Sequence, residues 1–189
     1  NVAIGYEAGG SVTTGVNNTI IGGLAGDALT DSDRNVALGY AALTNETLGQ
    51  YNTAVGYAAL STQNSTSATN TLNTAVGYNA GALITTGAQN TALGALSLDS
   101  NTTAANNVAI GYVALGANTT GANNTAVGGQ GVLDANTTGS QNTAIGGGAL
   151  GSNTTASDNT ALGHASLIRN TTGANNTSVG VDSLNFNTT

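Results

Sequence analysis

Residues 107–128 read NVAIGYVALGANTTGANNTAVG, one full repeat followed by the start of the next. The block Asn107-Val108-Ala109-Ile110-Gly111 returns 17 residues later as Asn124-Thr125-Ala126-Val127-Gly128. Working outward, the same block occurs eleven times, at Asn1, Asn18, Asn35, Asn52, Asn73, Asn90, Asn107, Asn124, Asn142, Asn159 and Asn176. The step is 17 residues except for one of 21 after Asn52 and one of 18 after Asn124. A helical-hairpin repeat needs about 34 residues, so the unit is a β-coil, and residues 1–189 form a single array of about eleven coils.

Positions are numbered from the block asparagine. Position 2 is Val2, Val36, Val108 or otherwise Thr, position 4 is always Ile, Leu or Val, and small residues lie between, a period of two that predicts a strand. Position 5 is glycine in every copy, from Gly5 to Gly180, as a backbone with positive φ or a very close neighbour requires. Farther on, Ala-Leu pairs such as Ala42-Leu43, Ala59-Leu60, Ala114-Leu115 and Ala149-Leu150 form a second inward element. Asn-Thr-Thr marks a turn at Asn101, Asn118, Asn136, Asn153, Asn170 and Asn187. The expected core is positions 2, 4 and 9. Position 3 then points outward. It is alanine in nine copies, Ile20 in one and Ser178 in one, and an outward stripe so small and apolar predicts homotrimeric contact along it.

Three copies carry Gly9, Gly26 or Gly81 in place of the leucine usual at position 9, and each has an aliphatic residue three places later, Val12, Leu29 or Ile84. Volume lost at one position is returned at another. That exchange is expected of a folded coil packed to near-crystalline density and not of a disordered low-complexity tract.

Composition narrows the function classes. Charged residues are 6% of the chain, and two cations, Arg34 and Arg169, stand against nine acids for a net charge of −7. Such a surface cannot neutralise a phosphate backbone, which argues against nucleic acid as a partner, and no apolar run is long enough to predict membrane insertion. The chain has no cysteine and one histidine, His164, which replaces a tyrosine of other copies, so no nucleophile and base can be paired and no enzyme is predicted. Asp27, Asp31 and Asp33 gather beside Arg34, but their spacing matches no calcium loop and reads as a solvated acidic turn. No catalytic, cofactor-binding or metal-binding residue and no cofactor is expected. Tyr6, Tyr40, Tyr57, Tyr78 and Tyr112 each follow the block glycine and would form a ladder, packing beside that glycine or contacting a glycan.

Blocks such as Asn1-Val2-Ala3-Ile4-Gly5 and Asn107-Val108-Ala109-Ile110-Gly111 resemble the head repeats of trimeric autotransporter adhesins. The string from Asn107 to Gly128, with its Asn-Thr-Thr-Gly, is closer still to repeats of phage tail fibres. The resemblance covers the whole chain, though those heads repeat every 14 residues or so against 17 here. It implies an all-β parallel β-roll or β-solenoid, left-handed and homotrimeric, serving as the receptor-binding or shaft segment of a phage tail fibre or bacterial surface adhesin. The implied location is extracellular, on a virion or cell surface, and the implied partners are the chain itself and a host cell-surface glycan or protein. Two other readings are a self-polymerising extracellular filament and an ice-binding β-solenoid. The second is weakened if position-2 threonines, which alternate with valine, face inward.

Overall fold

Alternating β-branched and small residues with an obligatory glycine stop give short strands. In the computed structural model, which describes residues 1–189, every block forms a three-residue strand beginning at position 2. These are β1 (Val2–Ile4), β2 (Thr19–Ile21), β3 (Val36–Leu38), β4 (Thr53–Val55), β5 (Thr74–Val76), β6 (Thr91–Leu93), β7 (Val108–Ile110), β8 (Thr125–Val127), β9 (Thr143–Ile145), β10 (Thr160–Leu162) and β11 (Thr177–Val179). They pair in parallel and in sequential order, so the molecule is an all-β solenoid built on one eleven-stranded sheet. Register is position on position throughout, as in Val108↔Thr125, Ala109↔Ala126 and Ile110↔Val127. It holds across the 21-residue coil, where Ala54 pairs with Ala75, and across the 18-residue one, where Ala126 pairs with Ala144. With strands roughly 4.8 Å apart the rod is about 50 Å long.

Of 114 backbone hydrogen bonds only 20 lie within the strands. Most of the others link one coil to the next around the perimeter. Thr91 N donates to Asn107 O at 2.8 Å, Leu98 N to Ala114 O at 3.1 Å and Thr102 N to Thr119 O at 3.0 Å. Each coil is thus tied to its neighbours on all sides, the nearest-neighbour arrangement of a repeat protein.

The phase of the strands corrects the expected core. Position 3 faces inward: Ala37, Ala54, Ala75, Ala109, Ala126, Ala144 and Ala161 are fully buried, while the position-4 side chains Leu38, Leu93, Leu162 and Val179 are 42–65% exposed. Positions 2 and 4 form the outer face of the sheet, and the alanine stripe, expected to be the contact surface, is the core wall. The reason is the narrowness of the coil. Position 9 projects into the interior beside position 3, the Cβ site of Gly9 lying 3.8 Å from Ala3 Cβ, so where position 9 is a buried leucine such as Leu115 the strand side has room for only a methyl group such as that of Ala109. One step of phase in a period-two strand moves every side chain to the opposite face.

The glycine–aliphatic exchange is directly visible. A Cβ added to Gly81 would lie 2.9 Å from Ile84 Cδ1, and one on Gly26 would lie 2.7 Å from Leu29 Cδ1, so the position-12 residue fills the space of the missing leucine. Ile20, the one large residue at position 3, has the same explanation. Its Cδ1 comes 2.9 Å from the Cβ site of Gly9, and its Cγ2 is 3.5 Å from that of Gly26. The residue in this place has positive φ in every coil, from 48° to 61°, whether it is Leu or Gly, and in the 18-residue coil it is Leu133, at position 10. The left-handed region costs an L-residue about 1–2 kcal/mol, so leucine is kept there against its backbone preference by what it fills.

At position 5 glycine is required twice over. Its φ lies between +123° and +156° in all eleven copies, and a Cβ on Gly5 would stand 2.6 Å from the carbonyl oxygen of Gly22 one coil on.

Candidate binding surface

Two asparagine ladders fix the coil ends. The block asparagine is buried in nine coils, from Asn18 to Asn159. Its Oδ1 accepts from the next block amide, as Asn107 Oδ1 does from Asn124 N at 2.9 Å, and its Nδ2 donates to the position-15 carbonyl of its own coil, as Asn107 does to Gly121 O at 2.9 Å. A second ladder runs through position 12, where Asn118 Nδ2 donates to Asn101 Oδ1 and Asn136 Nδ2 to Asn118 Oδ1, both at 2.9 Å. Sequence reasoning took the position-12 asparagines as turn markers and the block asparagines as the start of the repeat. They are buried closures whose amides can each bridge two coils because Asn carries both donors and an acceptor.

Where the coils lengthen, the polar interior changes. Glu46, fully buried, accepts at Oε1 from the amides of Thr47 (2.9 Å), Leu48 (3.0 Å), Gly49 (2.7 Å) and Ser65 (3.0 Å). Its Oε2 accepts from Gln63 Nε2 at 2.8 Å and Ser65 Oγ at 3.1 Å. The carboxylate is held by a nest of donors without a cation. Beside it Asn52 Nδ2 is buried without a partner, because its 21-residue coil no longer offers the position-15 carbonyl used elsewhere. The extra length emerges as the exposed excursion Thr66–Asn70. The one available signal for this cluster was Glu46 and Gln63 standing at position 12, which is aliphatic in Val12, Leu29 and Ile84 and asparagine from Asn101 onward.

The candidate acidic site does not converge on one point. Asp27 Oδ1 accepts from Thr44 Oγ1 of the following coil at 2.5 Å, whereas Asp31 Oδ1 accepts from Thr14 Oγ1 at 2.6 Å and Asp33 Oδ1 from Val16 N at 2.8 Å, both in the preceding coil. Arg34 lies 3.4 Å from Asp33 and over the ring of Tyr51. No group of three or more His, Cys, Asp or Glu side chains is placed to hold a metal ion, and no enclosed cavity is present along the rod. His164 is exposed at position 6.

What remains is surface arranged in columns. The outer sheet face presents eight threonines and three valines at position 2 beside eleven aliphatics at position 4. At the next corner stands the tyrosine column. Tyr40, Tyr57 and Tyr78 stack with centroids 5.5 Å apart and interplanar angles of 17–18°, each about half exposed. A third column carries exposed turn threonines on six successive coils, Thr86, Thr103, Thr120, Thr138, Thr155 and Thr172. These arrays can offer apolar contact and neutral hydrogen bonds.

Among known proteins, no family model, no curated protein and no solved structure matches this chain.

Proposed function

We propose that this chain is a non-enzymatic segment of a homotrimeric attachment fibre, a shaft or receptor-binding region carried on a virion or bacterial surface. The observation that carries the reading is the outward apolar face. Position 4 is aliphatic in every coil of the roughly 50 Å rod, with Ile4, Leu38, Leu93, Ile145, Leu162 and Val179 38–65% exposed and the residues between them partly so, the kind of apolar column that marks an interaction surface. Three chains turning these faces toward a common axis would cover this column, and the number three follows the resemblance of the blocks to adhesin heads and tail-fibre repeats, whose left-handed coil this reading also adopts. The tyrosine and threonine columns would supply contacts to a host glycan or protein, and repetition on three chains would raise weak affinities by avidity.

Sedimentation should give three times the chain mass, and Leu93→Asp with Leu162→Asp should convert the trimer to monomers. The assembled rod should also compete with the parent particle or bacterium for cells. A monomer at micromolar concentration, or no competition at saturation, refutes the corresponding half of the reading.

Ice binding is the second reading, and one observation favours it. Position-2 threonine lies on the outer face of the parallel sheet, so the argument from inward threonines no longer opposes it. The same face cannot be both a trimer interface and an ice-binding plane. Thermal hysteresis by a monomer would select the second reading.

A further inference from the structure

The tyrosine column is interrupted in two places. Position 6 is Tyr6, Gly23, Tyr40, Tyr57, Tyr78, Ala95 and Tyr112 in the first seven coils, so a single ring is missing between Tyr6 and Tyr40 and again between Tyr78 and Tyr112. Where the column is continuous each step is 5.5 Å, and two such steps would place the rings flanking a gap about 11 Å apart. Tyr40 roofs the Gly23 position, its Cδ2 lying 3.4 Å from where a Cβ would stand. The floor of each gap is small, glycine or alanine. Neither the amide of Gly23 nor that of Ala95 donates to any group in the chain.

We infer that these two gaps are slots for a neutral pyranose ring, sandwiched between tyrosine faces and hydrogen-bonded by the free amide and the phenolic hydroxyls. The inference rests on the attachment reading and names its ligand class. Inside the continuous ladder the ring faces are occupied by one another, so only the gaps expose two faces toward one space. A puckered sugar ring is thicker than a phenyl ring and presents C–H groups above and below, which suits a gap one tyrosine high between two electron-rich faces. Charge selects among sugars. No cation stands at position 6 and the chain carries −7, so sialylated or uronic-acid glycans are disfavoured against neutral ones.

The test uses the assembled chain, methyl β-D-glucopyranoside and methyl β-D-galactopyranoside as probes, and saturation-transfer NMR. Tyrosine emission gives a second readout because no tryptophan obscures it. Ala95→Tyr and Gly23→Tyr supply the missing rings and complete the ladder. Together they should weaken pyranoside binding at least tenfold while the dichroism and the sedimentation of the assembly are unchanged, and raising salt should leave binding by the parent chain unaltered.

Equal binding by the filled and parent chains overturns the proposal. So does binding of p-cresol without binding of either pyranoside, which would assign the slots to aromatic groups. Cell adhesion separates the two readings. Adhesion equal in parent and filled rods sinks the slots and leaves attachment standing, whereas slot-dependent sugar binding without adhesion supports the slots and sinks attachment.

Discussion

Exchange of core volume between positions 9 and 12 can be tested by recreating it in a coil that lacks it. Leu98 and Asn101 are both fully buried, and Asn101 begins the position-12 ladder next to the coil that carries Gly81 and Ile84. Leu98→Gly removes four carbons, worth about 3 kcal/mol at ~0.8 kcal/mol per methylene. A cavity term adds to this, and relief of the left-handed strain at φ +49° offsets ~1–2 kcal/mol of it. The net loss is about 3 kcal/mol. Asn101→Ile alone drives an aliphatic chain into space Leu98 fills and removes the 3.1 Å bond to Ala104 O, for a further loss of about 3 kcal/mol. In the double variant isoleucine enters the space vacated by leucine, as Ile84 does beside Gly81, and only the lost hydrogen bonds should remain, about 1–2 kcal/mol. The coupling is thus about 4 kcal/mol in the favourable direction. Urea denaturation followed by far-ultraviolet dichroism at fixed chain concentration measures it. Additivity of the two single effects within about 0.5 kcal/mol would refute the shared-space account.

The inverted strand phase predicts opposite outcomes for adjacent residues. Ala126→Asp, burying an unpaired charge, should abolish folding, whereas Val127→Asp should leave the β dichroism intact and dissociate the assembly. Deleting Thr66–Thr69 restores a 17-residue coil and should leave the melting temperature within a few degrees, and loss of cooperative melting would contradict the lateral placement of the insertion. Glu46→Ala leaves the amides of Thr47, Leu48, Gly49 and Ser65 without their acceptor and should cost at least about 3 kcal/mol, read as lost hydrogen-exchange protection at Gly49 and Ser65. Burial holds the Asp99 carboxyl above the usual carboxylate range, so the folded chain keeps its proton more tightly than the unfolded chain. The stability this contributes at low pH is lost as pH rises through that range. Asp99→Asn should therefore be the more stable form at neutral pH, with the difference shrinking on acidification. A difference that does not vary with pH would show that desolvation of the charge is not its cause.

The sequence by itself determined the repeat. Each strand starts one residue after its block asparagine, the stack keeps its register through both irregular coils, and glycine at position 5 meets both demands read from its invariance within the array. Gly9, Gly26 and Gly81 with Val12, Leu29 and Ile84 were legible as a volume exchange because volume is written in residue type.

The direction of the strands was not legible. A period of two is symmetric in phase, and alanine suits a crowded interior as well as a tight interface, so Thr-Ala-Val by itself does not state which side is in. Closure of the coil decided it. Position 9 projects into the interior and leaves space for a methyl, which places alanine inside and the larger aliphatics outside. Nor did local preference indicate the corners. Arg34, Tyr51, Leu72, Val113 and Leu115 take φ between 52° and 60°, where such residues rarely stand. They are held there because a short coil must turn several times and bond to its neighbours at each turn, a requirement of the stack that no single coil's sequence expresses.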